Sequence, residues 1–248
     1  HGQFGNIYAM ATIFSSVLLI WVGKKIDEYQ IFYYSFFVII LLFLSSLFFS
    51  FINSIFLLAI GIFLMRFSGQ GLMSHTSTTT ISRFFEKSRG KALSTIWFGL
   101  SSAEFILPVF VTYFFVIYSW RTVWQGIAII IILFLPIVIF NTIRSVKLES
   151  REKDQNPKIN LKIKSWRRVE VIKDFRFYIV SLNMLAMPWV ATGVFVYQSF
   201  ITESKMWSIY TIPKAFMVYS ITSIITLFFS GFLVDKFTSR KLIPIMNI

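Results

Sequence analysis

Cysteine is absent from this 248-residue chain, which removes a disulfide framework, a thiolate metal site and a cysteine nucleophile. Histidine is almost absent. His1 and His75 stand far apart, no His/Asp/Glu cluster has metal-ligand spacing, and neither a metal nor a cofactor is expected. Charge is scarce too, at 14% of residues, where a soluble fold carries about a quarter. Acids are the rarer sign, 11 against 24 Lys and Arg, giving a formal net charge of +13. In a soluble protein that excess would suggest nucleic acid. Its distribution along this chain gives another account, and no nucleic-acid partner is expected. No nucleophile–base pair is visible either, so a membrane enzyme finds no support and no catalytic residue is named.

What fills the chain is apolar: 56% hydrophobic residues and a mean hydropathy of +0.71. These residues come in blocks, not in a 3.6 or 2 period. The run from Tyr33 to Ile52 is apolar on every side, with only serines interrupting it. About 20 such residues cross the hydrocarbon core, because a helix rises roughly 1.5 Å per residue. Spans are read at about 5–23, 32–52, 55–81, 92–117, 122–141, 177–200 and 212–234. The expected fold is therefore all-α, a polytopic membrane helical bundle whose first partner is the lipid bilayer. A further apolar stretch begins at Leu242 and the chain opens on His1, so a fragment truncated at both ends is expected.

Seven crossings alternate sides, and the basic residues sort by side. Lys24 and Lys25, Arg83 to Lys91, the long run from Arg144 to Arg176, and Lys236 to Lys241 share one face. The other face receives only Arg121, Lys205 and Lys214, while Arg66 lies inside a span. By the positive-inside rule the basic loops are cytoplasmic; the expected location is a plasma membrane, a bacterial inner membrane. Trp21, Trp97, Tyr118, Trp120 and Trp124 fall near the interfaces, where amphipathic rings are favoured. Residues 1–141 form a first bundle, 142–175 a charged cytoplasmic loop and 176–248 the start of a second bundle. Within the loop, Trp166, Val169, Ile172 and Phe175 recur every three residues, which fits either a short interfacial helix or a solvated linker.

Arg66, about midway along the 55–81 span, is the strongest functional candidate. A mid-membrane arginine costs a few kcal/mol to insert and turns toward a cavity or a counter-charge; the plainer reading is a pin between helices. Gln70 and Ser74 or Ser77 extend a polar stripe from it, and Gly69 and Gly71 permit close packing. Glu104, the one acid inside a span, lies at a depth comparable to Arg66 in the next helix. An Arg66–Glu104 ion pair is geometrically open, either static or as a site that takes and releases a proton. Tyr8, Thr12, Ser15 and Ser16 in the first span, and Tyr219, Ser223 and Thr226 in the last, have cavity-lining spacing, although Ser and Thr also serve as interhelical glue. Asn183, Pro188, Tyr197 and Gln198 interrupt the 177–200 span and mark a kink or a gate. His75 reads as a packed residue.

Two glycine-to-aspartate runs close apolar spans far apart in sequence: Gly23-Lys24-Lys25-Ile26-Asp27 and Gly231-Phe232-Leu233-Val234-Asp235-Lys236. Such a recurrence suggests two related halves, a known way of building a transporter. With these runs the chain resembles the major facilitator superfamily of secondary transporters, which carries a glycine-x-leucine-x-aspartate-basic turn after its second helix and often after its eighth. Gly231, Leu233, Asp235, Lys236, Arg240 and Lys241 match the second copy; the first keeps Gly23 and Asp27, with Glu28 where a basic residue is usual. Arg66 with Gly69-Gln70-Gly71 resembles the family's fourth-helix arginine motif, and Arg89-Gly90-Lys91 the turn before its fifth helix. The resemblance covers nearly the whole chain, about helices two to nine. It implies a secondary transporter working by alternating access, with Gly23, Asp27, Arg89, Gly90, Gly231, Asp235, Lys236 and Arg240 as cytoplasmic gate motifs. Arg66, Gln70 and Glu104 are then the binding or coupling residues, for a small solute such as an organic carboxylate, with protons as the candidate coupling ion. A seven-helix receptor or sensor is the alternative.

Overall fold

The computed structural model describes residues 2–84, 89–142 and 168–237. Among these residues there is no strand, and seven helical spans are long and apolar enough to cross a membrane. That outcome follows from the solvent. A hydrocarbon core offers no partner to a backbone N–H or C=O, so each span must satisfy its own groups, and a helix does. The spans are Gly2–Asp27, Ile31–Ser50, Ile55–Arg83, Gly90–Ile117, Trp120–Asn141, Phe175–Ser204 and Thr211–Leu233. They fall where the apolar blocks fall.

In detail, α1 (Gly2–Val22) tightens into a 3₁₀ turn over Gly23–Asp27, and α2 (Ile31–Ser50) returns. The third span is built in three pieces: α3 (Ile55–Met65), a π-helical segment (Arg66–Met73) and α4 (Ser74–Phe84). Then come α5 (Arg89–Ile117), α6 (Trp120–Thr142), the short α7 (Arg168–Lys173), α8 (Phe175–Ser204) and α9 (Thr211–Lys236). Ser54 caps α3, its hydroxyl accepting from the Leu57 N–H at 3.2 Å. The prolines at 108, 136 and 188 lie inside helices that run on through them. Pro188, one of the positions read as a kink or a gate, thus sits inside a single helix, α8.

The π-helical segment corrects the single continuous helix expected over 55–81. Gly69 and Gly71 place no Cβ where the wider turn must form, and a Cβ on Gly71 would lie 3.4 Å from the Arg66 carbonyl oxygen. The Ser68 hydroxyl turns back to the Leu64 carbonyl at 2.7 Å, a second local perturbation of the helical ladder. Segments of this kind are rare and concentrate at functional sites.

Burial concentrates in α2 and the third span, against the end of α1. Ile26, Tyr34, Val38, Phe67 and Leu72 form the buried core there, and the Tyr34 hydroxyl ties to the Val22 carbonyl at 3.1 Å. α2 also lies along α6, where Phe49 and Trp124 rings stand 4.7 Å apart. α5 packs along α9 more extensively than any other pair of elements. Side chains such as Trp189, 80% exposed on α8, face outward as lipid-facing positions do. α7 falls in the stretch where an amphipathic repeat was read, with Val169 and Ile172 exposed.

Candidate functional site

Arg66 stands at the junction of α3 and the π-helical segment, and its guanidinium points at α1. Nη1 donates to the Tyr8 hydroxyl at 2.7 Å and to the Gln70 side-chain oxygen, and Cζ sits 4.7 Å from the Tyr8 ring centroid. The cation thus has an aromatic face, a phenol oxygen and an amide oxygen, but no carboxylate among the described residues. Thr12, Ser15, Ser16, Leu19, Arg66, Gln70 and Gly71 enclose a cavity of about 190 Å³. Its hydroxyls are already engaged: Thr12 donates to the Tyr8 carbonyl at 2.7 Å, and Ser15 and Ser16 both donate to the Thr12 carbonyl at 2.9 Å. What remains to attract a ligand is one positive charge without a counter-ion.

Two sequence-predicted groups therefore meet here, Arg66 with Gln70, and the polar face of α1 joins them. Glu104 does not. It sits half-buried on α5 and makes no hydrogen bond or ion pair among the described residues, so the Arg66–Glu104 pair is not formed. Tyr219, Ser223 and Thr226 are not among the residues lining this cavity. Tyr197 takes another place, its hydroxyl filling the space that a Cβ on Gly5 of α1 would occupy.

A second cavity, about 410 Å³, opens at the basic end of the same groove, between the 3₁₀ turn and α4. Ser16, Leu19, Ile20, Gly23, Lys24, Ile26, Asp27, His75 and Thr79 line it. Sequence spacing missed His75 and Thr79 because the stripe was extended at helical period through Ser74 or Ser77. The π turn inserts one residue of phase, so the groove runs from Gln70 to His75, five positions on, and then to Thr79. Ser74 is exposed instead, and the Ser77 hydroxyl returns to the Met73 carbonyl at 2.9 Å.

At this end Asp27 pairs with Arg83, whose other amino group reaches the Ile26 carbonyl at 3.4 Å. Lys25 and Glu28 pair at 2.6 Å, and that hydrogen bond holds the exposed Glu28 carboxyl below the usual carboxylate range. Gly231 of α9 is buried against α5, where an added Cβ would meet the Ser94 hydroxyl oxygen at 2.7 Å and the Lys91 Cα at 3.5 Å. Lys91 Nζ lies 4.8 Å from the Phe232 ring centroid, and Lys236 closes α9 with its ammonium 5.6 Å from the Phe237 ring centroid. Arg89 and Gly90 open α5 and Asp235 falls in the last turn of α9. The side chains of Arg89 and Asp235 lie outside the described residues, as does Arg240 with the start of a further span at Leu242. No group of three His, Asp or Glu capable of holding a metal occurs among the described residues.

Seven apolar spans, with the Arg66 guanidinium beside a polar cavity, define a multi-pass membrane protein with an internal polar site. The sequence profile of the Major Facilitator Superfamily matches residues 1–248, and the chain belongs to that family. It is a secondary transporter of a solute, an identity that favours the transport reading over a seven-helix receptor. No curated protein and no solved structure matches the chain at a significant level.

Proposed function

We propose that the transported solute is a small organic anion, of the carboxylate class, bound at Arg66 and moved by alternating access. One observation carries this: Arg66 keeps its charge at mid-span with only neutral partners, Tyr8 and Gln70, around a polar cavity. A cation in low dielectric without a counter-ion is costly, and an anionic ligand removes that cost each time it binds. The planar guanidinium also suits a carboxylate, because it offers parallel N–H donors. Gln70 and Tyr8 orient the fork from two sides. Glu104, half-buried and unpaired among the described residues, is the candidate proton carrier for coupling.

In this reading the basic end is cytoplasmic, since Lys and Arg concentrate in cytoplasmic loops, and the membrane is a bacterial inner membrane. Residues 1–141 and 176–248 belong to two related halves that rock about the site, joined through 142–175. The turn at Gly23–Asp27 and the end of α9 from Gly231 to Lys236, with Arg89, Gly90 and Arg240, work as the gate on that side. Support comes from the Asp27–Arg83 pair and from the close seating of Gly231 on α5.

Uptake of radiolabelled acetate, lactate and succinate into vesicles holding the full-length protein tests the assignment. Arg66→Lys should lose at least about tenfold in carboxylate affinity, the scale of one bidentate contact, with folding retained. Wild-type transport confined to neutral or cationic solutes would sink the anion reading. Glu104→Gln should keep solute exchange and lose uptake driven by a proton gradient. Proton-driven uptake unchanged in Glu104→Gln would remove Glu104 from coupling.

A further inference from the structure

The 410 Å³ cavity at the basic end has polar groups that no partner among the described residues uses. Lys24 makes no hydrogen bond or ion pair among the described residues, and neither does Thr79. The Nδ1 atom of His75 is buried without a hydrogen-bond partner. On the same helix the hydroxyls of Thr76, Ser77 and Thr78 return to carbonyls at 2.7–2.9 Å, while that of Thr80, away from the cavity, is also buried without a partner among the described residues. Of the three groups only the His75 atom is buried; Lys24 is exposed and Thr79 half-buried, so their donors are open to a ligand entering the cavity.

The charges fix the sign of that ligand. Asp27, the one acid lining the cavity, is taken up by Arg83, and Glu28, which also feels Lys24, is bonded to Lys25. Lys24 is left as the uncancelled charge. Around it stand an ammonium, a threonine hydroxyl and an imidazole, which together offer donors to oxygen acceptors. The cavity also shares Ser16 and Leu19 with the Arg66 cavity, so the two adjoin along α1.

We propose that this cavity is a second anion station, in which Lys24, His75 and Thr79 bind the oxygens of a carboxylate or phosphate group. Its occupant comes from one of two sources with the same chemistry, a free anion or a lipid headgroup. As a stage on the solute's route it rests on the reading of Arg66 given above; as a binding site it stands on its own donors.

The cysteine-free sequence permits a direct test. Thr79→Cys, in full-length protein in phosphatidylcholine vesicles, is labelled with two methanethiosulfonates, one carrying a sulfonate and the other a trimethylammonium group. Their rate ratio is normalised to Thr202→Cys, and Ser16→Cys serves as a second position in the same cavity. The sulfonate should be favoured about tenfold, the effect of one charge within about 10 Å at interfacial dielectric. Lys24→Gln should abolish that preference and Arg66→Gln should leave it. A ratio equal to the reference, or no labelling by either reagent at both positions, overturns the station. Loss of the preference in Arg66→Gln also overturns it, because the potential would then belong to the mid-span cation. Inorganic phosphate slowing the labelling assigns the site to free anions, and phosphatidylglycerol slowing it assigns the site to a headgroup. Slowing by neither means that no anion is held, and the proposal falls. Failure of Arg66→Lys to affect uptake, with the preference at residue 79 intact, would count against the Arg66 reading alone.

Discussion

Gly23 and Gly231 each stand four residues before an aspartate, yet the first opens a 3₁₀ turn, the second lies inside α9, and their surroundings differ. An added Cβ at Gly23 would find the Leu19 methyl at 3.5 Å and the His75 imidazole at 3.6 Å, ordinary contacts beside an open cavity. At Gly231 it would meet Ser94 at 2.7 Å and 3.1 Å with the Lys91 backbone behind it. One glycine borders space; the other lets two helices touch. A glycine four residues before an aspartate thus serves as a cavity wall in the turn after α1 and as a helix crossing on α9, and the neighbour decides which.

Gly231→Ala should therefore have the largest effect. Overpacking at the α5–α9 crossing should cost about 1–3 kcal/mol and lower the melting temperature in detergent, with a lesser loss when Ser94→Ala is added. An unchanged melting temperature would mean that the crossing is loose and the contrast with Gly23 empty. The next effect in size concerns the ion pair. Asp27 and Arg83 have side chains 61% and 34% exposed, so solvent screens their pair. A double-mutant cycle with Asp27→Asn and Arg83→Gln should return a coupling of about 0.2–1 kcal/mol that shrinks as salt is raised. A coupling of several kcal/mol would make this turn a firmer lock than the α9 crossing. The smallest change is expected for Gly23→Ala, within about 0.5 kcal/mol of the parent in the same melt. Should it cost as much as Gly231→Ala, the two sites are equivalent and the comparison breaks.

Arg66 shows how far sequence carries a site. An arginine inside an apolar span announces itself, because few residues are so costly there. Its partners do not. Glu104 has the complementary charge and a comparable depth by counting, yet the guanidinium goes to Tyr8 on α1, 58 positions away in sequence. Depth along a span is readable from length; rotation about the helix axis toward one neighbour or another is not. His75 and Thr79 were hidden for a related reason. A 3.6-residue period holds only while the helix is regular, and the π turn at Arg66–Met73 shifts every later side chain by one position.

Sequence by itself determined the seven spans and their limits within a few residues. Each of these is a local matter, set by the length of an apolar run, the need of backbone groups for partners in hydrocarbon, and the cost of carrying charge across it. Tertiary structure alone decided that Arg66 faces Tyr8 and Gln70, that His75 and Thr79 line a cavity with Lys24, and that α5 lies along α9 at Gly231. Those choices depend on which helices meet and at what rotation. Between helices in lipid they are made by shape and by single polar contacts, since apolar faces of equal greasiness give no preference.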